Sequence, residues 1–191
     1  MPESRLIGFE RARLEPFFRE VPRLWWQAQA PVHEAYQELL YTTEHAFDPG
    51  DLEHIDRLFH LPTPQWGQES REAAIGLLDG MRYPDTTAFT RLRAVPNLTL
   101  STVSHYLHFF HHTYPIYHPD AVRGLDALGA PVPWTKVRDP DSYGLYIAAI
   151  EELRDRIPFW DVPETNVHTH RILEAALEAW GRSKAGRPPT P

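Results

Sequence analysis

The stretch from Leu92 to Leu128, LRAVPNLTLSTVSHYLHFFHHTYPIYHPDAVRGLDAL, constrains the fold of this chain more than any other. At about 100° per helical residue, Leu100, Val103, Tyr106, Leu107 and Phe110 share one broad stripe, the spacing of a helix buried on one side. Ser101, His105, His108 and His112 fall on another face, within about 60° of each other. The spacing therefore predicts an amphipathic helix over about 100–112 with a core face and a histidine face. Pro96-Asn97 ends the helical pattern before it, because the residue ahead of proline disfavours helix and Asn tolerates left-handed backbone. Thr99 is the predicted N-cap, and Pro119-Asp120 opens the next helix, where an acidic residue suits the dipole.

The rest of the chain follows the same logic. Residues 4–30 read as one or two helices, with Leu6, Phe9, Leu14, Phe17 and Phe18 as core candidates and Trp25-Trp26 packing near the end. Arginines and glutamates alternate along this segment, as on a solvated face laced with ion pairs. Pro31 is expected to open a helix through about Tyr41. Asp51 is expected to cap a helix containing Leu52, Ile55, Leu58 and Phe59, after the turn Asp48-Pro49-Gly50. Helices are also expected over 69–78, from Asp85, over 143–157 and over 163–180. Gly129 to Pro140 is a Pro-rich excursion carrying Trp134, Lys136 and Arg138, a surface loop suited to touching a ligand. No internal repeat and no long apolar/polar alternation occurs. The chain reads as all-α, one helical domain over 1–181 of one or two lobes, with a flexible basic, proline-rich tail over 182–191.

Composition narrows the chemistry. The 191 residues include no cysteine, which excludes disulfides, thiolate zinc sites, a thiol nucleophile and a cysteine-held iron-sulfur cluster. With 42% hydrophobic and 12% aromatic residues there is ample material for a packed core. No apolar run reaches the roughly 20 residues that span a bilayer, and the polar start lacks a signal-peptide core, so no membrane partner is expected and the default location is the cytoplasm. A net charge of −7 opposes generic nucleic-acid binding. Between Arg82 and Arg123, however, four arginines outnumber two aspartates, and five histidines lie among them. No Gly-rich phosphate loop and no GxSxG elbow occurs, so nucleotide hydrolysis and α/β-hydrolase chemistry find no support.

Helix, tight turn, helix, then a loop whose aspartate opens the next helix resembles the helix-hairpin-helix DNA glycosylase superfamily, the group of endonuclease III and the 8-oxoguanine glycosylases. The hairpin pattern L-x-x-L-P-G-V-G-x-K-T-A is answered here by Leu92, Val95, Pro96, Asn97, Leu98, Thr99, Leu100, Ser101, Thr102 and Val103. Asn97 and Thr99 replace both hairpin glycines, and Ser101 stands where bifunctional members carry a Schiff-base lysine. The later segment F-P-V-D-x-x-V is similar to Tyr114-Pro115-Ile116-Tyr117-His118-Pro119-Asp120-Ala121-Val122, with Asp120 and His118 competing for the aspartate position. The closing helix, Leu173 to Gly181, is similar to that of small bacterial 8-oxoguanine glycosylase-like proteins.

The resemblance implies an all-α glycosylase-type fold and a DNA-repair-like protein that recognises or excises a damaged base by flipping it from the duplex. It implies Asp120 as the catalytic carboxylate with His118 beside it, and Tyr117 and Trp134 shaping the pocket. Asn97, Leu98, Thr99, Leu100 and Ser101 would grip a phosphate, and Arg91 and Arg93 would touch the DNA backbone. Without a lysine at Ser101 the chemistry would be monofunctional, N-glycosylase-like hydrolysis with no cofactor. Two other readings stay open. One is a non-catalytic relative of the fold that binds DNA or a protein. The other is a helical metal protein using His105, His108 and His112, which stand three and four residues apart, with His168, His170, Glu44 or His45 supplying further ligands.

Overall fold

The computed structural model describes residues 9, 11–45, 47–61, 68–79, 90–92, 94–95, 98–112, 114–130, 139–157, 167 and 169–184. Among them the regular structure is entirely helical. Eight α-helices have their bounds among the described residues: α1 (Arg11–Gln29), α2 (His33–His45), α3 (Pro49–Leu58), α4 (Gln68–Asp79), α5 (Leu100–His111), α6 (Pro119–Ala127), α7 (Asp139–Arg156) and α8 (Thr169–Lys184). A 3-10 turn, Ala30–Val32, joins α1 to α2. Pro31 thus sits in a connecting turn, and α2 begins two residues later. No described helix is long and apolar enough to cross a membrane.

The chain divides into two units. The described residues of Met1–Pro31 and Tyr117–Pro191 form one, and those of Val32–Ile116 form the other. The first unit is built on α8, which packs against α1, α6 and α7. Helix α1 presents Leu14, Phe17, Phe18, Val21, Leu24 and Trp25, spaced three and four apart and all buried. It runs unbroken through Pro16 and Pro22, each of which removes one helical hydrogen bond. Burial of the apolar stripe outweighs that loss, since each large side chain taken from water contributes about 1.5–3 kcal/mol. The two neighbouring tryptophans part company: Trp25 is buried, whereas Trp26 is 51% exposed. Adjacent residues stand about 100° apart on a helix, and Trp26 falls outside the buried arc that holds both Leu24 and Trp25.

Helices α6 and α8 meet backbone to backbone. A Cβ on Gly181 would overlap the carbonyl oxygen of Asp120, and one on Gly124 would overlap the carbonyl of Leu177. Only glycine permits that approach. Helix α8 continues to Lys184, so Arg182 belongs to the helix and not to a tail.

In the second unit α2, α3 and α5 pack on one another, with α4 against α3. The N-cap of α3 is Asp48, not Asp51. Asp48 accepts the N–H groups of Gly50 and Asp51, Pro49 takes the first helical position, and the Asp51 carboxylate accepts the Asp48 N–H at 2.8 Å. This reciprocal capping box satisfies donors that would otherwise be orphaned and starts the helix earlier than the turn signal alone suggests.

Helix α5 begins as its sequence predicts. Thr99 is the N-cap and accepts the Thr102 N–H at 3.1 Å. The expected division into core and histidine faces is overturned, because every residue from Thr102 to Phe109 is buried, His105 and His108 included. A helix enclosed on all sides must give its polar side chains partners, and it does. His112 ends α5 in the left-handed conformation, φ 52°, with its N–H on the His108 carbonyl.

Candidate functional site

The polar groups enclosed around α5 form fixed hydrogen-bond pairs. His108 Nε2 meets the Tyr36 hydroxyl at 2.7 Å, and Nδ1 meets the Tyr114 carbonyl at 2.7 Å. A carbonyl only accepts, so Nδ1 carries the proton and Nε2 accepts from Tyr36. His105 likewise donates Nδ1–H to the Ser101 carbonyl at 2.8 Å, with its ring 4.6 Å from that of Phe59. The Tyr106 hydroxyl donates to Asp56 at 2.8 Å. Burial pushes the Asp56 carboxyl above the ordinary carboxylate range, opposed by that hydrogen bond and by the Arg71 charge. Burial also drives the Tyr106 phenol far above its usual value, with the Asp56 charge acting in the same direction.

These pairings leave the three histidines proposed as metal ligands otherwise engaged. His105 and His108 bind backbone carbonyls, and His112 is a C-cap whose Nε2 lies 3.4 Å from the Thr43 hydroxyl. Among the described residues no group of three His, Asp or Glu side chains is placed to hold a metal ion. His170, offered as a supplementary ligand, is buried in α8. The side chains of Glu44, His45 and His168 lie outside the described residues.

The hairpin residues divide in the same way. Arg93, Asn97 and Trp134 lie outside the described residues. Leu98 is buried, Arg91 and Thr99 are exposed, and Leu100 and Ser101 are half-buried. The Thr99 hydroxyl uses the Thr102 N–H, so the amides of Leu100 and Ser101 are the remaining first-turn donors at this helix end.

A cluster of ionisable side chains gathers where α6 begins. His118 is the N-cap of α6, its Nδ1 accepting the Asp120 N–H at 3.1 Å while its carbonyl accepts the Val122 N–H at 3.1 Å. Pro119 occupies the first helical position, where its missing N–H costs nothing. Asp120 follows in the first turn, and its Oδ1 is paired with Arg123 one turn on. Its Oδ2 stands 3.8 Å from His118 Nδ1. From α8, Glu178 places Oε1 4.0 Å from His118 Nε2 and 2.8 Å from Arg182. Asp120 and Glu178 keep 13% and 18% of their side-chain surface exposed, and His118 keeps 35%. Tyr117, just ahead, sets its ring against Tyr146, 5.2 Å between centroids.

Asp120, His118 and Tyr117 are therefore adjacent, as their closeness in sequence ensures. Arg123, Glu178 and Arg182 were not singled out as site residues from the sequence. The spacings Asp120–Arg123 and Glu178–Arg182 are visible helical ion-pair spacings, yet such pairs are common on solvated faces. What marks these two is the glycine contact between α6 and α8, which brings them to one place. Chemically, the cluster offers an acceptor carboxylate at a helix N-terminus, an imidazole and a second carboxylate, with two guanidinium groups balancing the charge.

Deeper in the same unit, Arg171 and Glu174 form a buried ion pair at 3.1 Å, and Arg171 donates to Gln29 Oε1 at 2.9 Å. Burial raises the Tyr146 phenol well above its usual value, and the Glu174 charge adds to the effect. This second cluster is closed to solvent, with side-chain exposures of 6% and 1% for the pair.

No protein-family model, no curated protein sequence and no solved structure matches the chain.

Proposed function

We propose that the protein recognises a damaged base flipped from duplex DNA and hydrolyses its N-glycosidic bond, with Asp120 as the carboxylate. The observation that carries this reading is the placement of Asp120 in the first turn of α6, held by Arg123 through one oxygen and flanked by His118. A carboxylate in that role stabilises the oxocarbenium-like sugar as the bond to the base breaks, and orients the water that replaces the base. The capped N-terminus of α5 supports the reading separately, since two first-turn amides there suit a phosphate without requiring particular side chains. The hairpin resemblance around Leu98 to Ser101 points the same way.

A second reading, a non-catalytic relative that binds DNA or a protein, is favoured by one feature: Arg123 and Arg182 already neutralise the two carboxylates. The two readings separate by experiment. Binding is measured to a duplex carrying an abasic-site analogue and to the undamaged duplex, at low and higher salt. Tighter binding to the lesion that weakens with salt, followed by base release in a screen of damaged duplexes, supports excision. Lesion binding without release supports the second reading. Absence of binding at low salt removes excision and DNA binding together and leaves only the protein-binding form of the second reading.

A further inference from the structure

The imidazole of His118 is hydrogen-bonded at Nδ1 and has a carboxylate near Nε2, beyond direct hydrogen-bond distance. Nδ1 accepts the Asp120 N–H at 3.1 Å, which places the ring proton on Nε2. Nε2 faces Glu178 Oε1 at 4.0 Å, and Arg182 fixes that same oxygen at 2.8 Å. Glu178 lies one turn before Gly181, whose lack of a side chain lets α8 rest directly on the Asp120 carbonyl. The register of α8 on α6 therefore brings Glu178 to His118.

We propose that Glu178 and His118 form a positioning pair for Asp120. Glu178 orients the His118 ring, the ring caps α6, and the cap fixes the first turn from which the Asp120 carboxylate projects. In this tautomer His118 is not a proton carrier. Its Nδ1 lone pair is used by the amide and its Nε2 already holds a proton, so taking up another would set two N–H groups against each other and break the cap. Asp120 Oδ1 is engaged by Arg123, while Oδ2 lies 3.8 Å from a nitrogen that has no proton to give it. Oδ2 is thus the oxygen that meets a ligand. The proposal rests on the reading of Asp120 as the site's carboxylate only for its activity readout.

Nitrogen NMR of the labelled imidazoles in the full chain, at about pH 8 where histidine is neutral, tests the tautomer directly. The His118 signal is assigned by its loss in His118→Asn. A single Nε2–H tautomer is expected, and Glu178→Leu is expected to populate the Nδ1–H form. An Nδ1–H tautomer in the wild type, or no response to Glu178→Leu, overturns the pair.

Substitution supplies the second arm. Asn is a good N-cap and cannot titrate, so His118→Asn is expected to preserve Asp120 amide protection and base release within about threefold. His118→Ala, which has no cap acceptor, is expected to exchange the Asp120 amide roughly tenfold faster and to lower base release in step. Retained amide protection with lost release in His118→Asn would make His118 a proton carrier and overturn the proposal. If the wild type releases no base from any lesion, the excision reading fails by itself, and the tautomer and exchange data still decide the positioning pair.

Discussion

Tyr106 donates its hydroxyl to Asp56 at 2.8 Å, two buried residues brought together from α5 and α3. The pair makes the stability of the second unit dependent on pH. Burial raises the Asp56 carboxyl above its ordinary value of 3.8. Over the window between that value and the raised one, the native state holds a proton that the unfolded chain has released. Stability therefore falls as pH rises through this window. Asp51, raised by burial as well, acts in the same direction. Asp56→Asn keeps an acceptor for Tyr106 and removes the charge, so urea midpoints measured across the window should vary less with pH than in the wild type. Tyr106→Phe removes the hydroxyl donor and should cost about 1–3 kcal/mol at neutral pH.

The bonds of His108 to Tyr36 and to the Tyr114 carbonyl identify it as a structural histidine. His108→Leu should lower stability by about 2–4 kcal/mol, because both bonds are lost in a site closed to water. Tyr36→Phe, which loses one of them, should cost nearer to about 1 kcal/mol. Thermal unfolding reads both, and curves with and without added Zn²⁺ should superimpose; a zinc-dependent rise in Tm would restore the histidines as ligands.

Arg171 and Glu174 form an enclosed ion pair, and Gln29 accepts a further hydrogen bond from Arg171. Removing one member takes the opposite charge away from the other in a site closed to water. Arg171→Met alone should therefore cost about 3–5 kcal/mol. The double substitution Arg171→Met with Glu174→Leu should recover most of that loss. A denaturant cycle over the four proteins measures it; additive losses would show that the charges do not interact.

Gly181 and Gly124 set the contact between α6 and α8. Gly181→Ala forces a methyl group into the Asp120 carbonyl and must push the helices apart, for a cost of about 3 kcal/mol. Gly76, at which a Cβ would meet nothing, is the control: Gly76→Ala should be neutral or stabilise α4 by roughly 0.5–1 kcal/mol. Equal Tm shifts for the two substitutions would contradict the close approach.

Asp120→Asn keeps the size and the N-terminal polarity of the residue while removing its negative charge. On the proposed excision reading, base release should be abolished, with lesion binding changed by less than about threefold, because the lost interaction belongs to the transition state. Unchanged release would remove Asp120 from the mechanism.

Local features of the sequence were sufficient for the helical class, for Thr99 as a cap and for the start of α6 at Pro119, since periodicity and capping act over a turn or two of chain. The apolar stripe of α1 was legible in the same way. The histidine pattern was misread because spacing assigns a residue to a face but does not say whether that face is covered. His108 is enclosed by a partner 72 residues away, Tyr36, and no local pattern encodes that contact. Asp48 rather than Asp51 caps α3 because the two side chains share the amides between them, a choice decided by backbone geometry. The separation into two units and the meeting of Glu178 with His118 likewise depend on tertiary structure. Sequence fixes which side chains a helix carries; the packing of helices, here α8 on α6 through Gly181, decides which of them meet and what chemistry they can share.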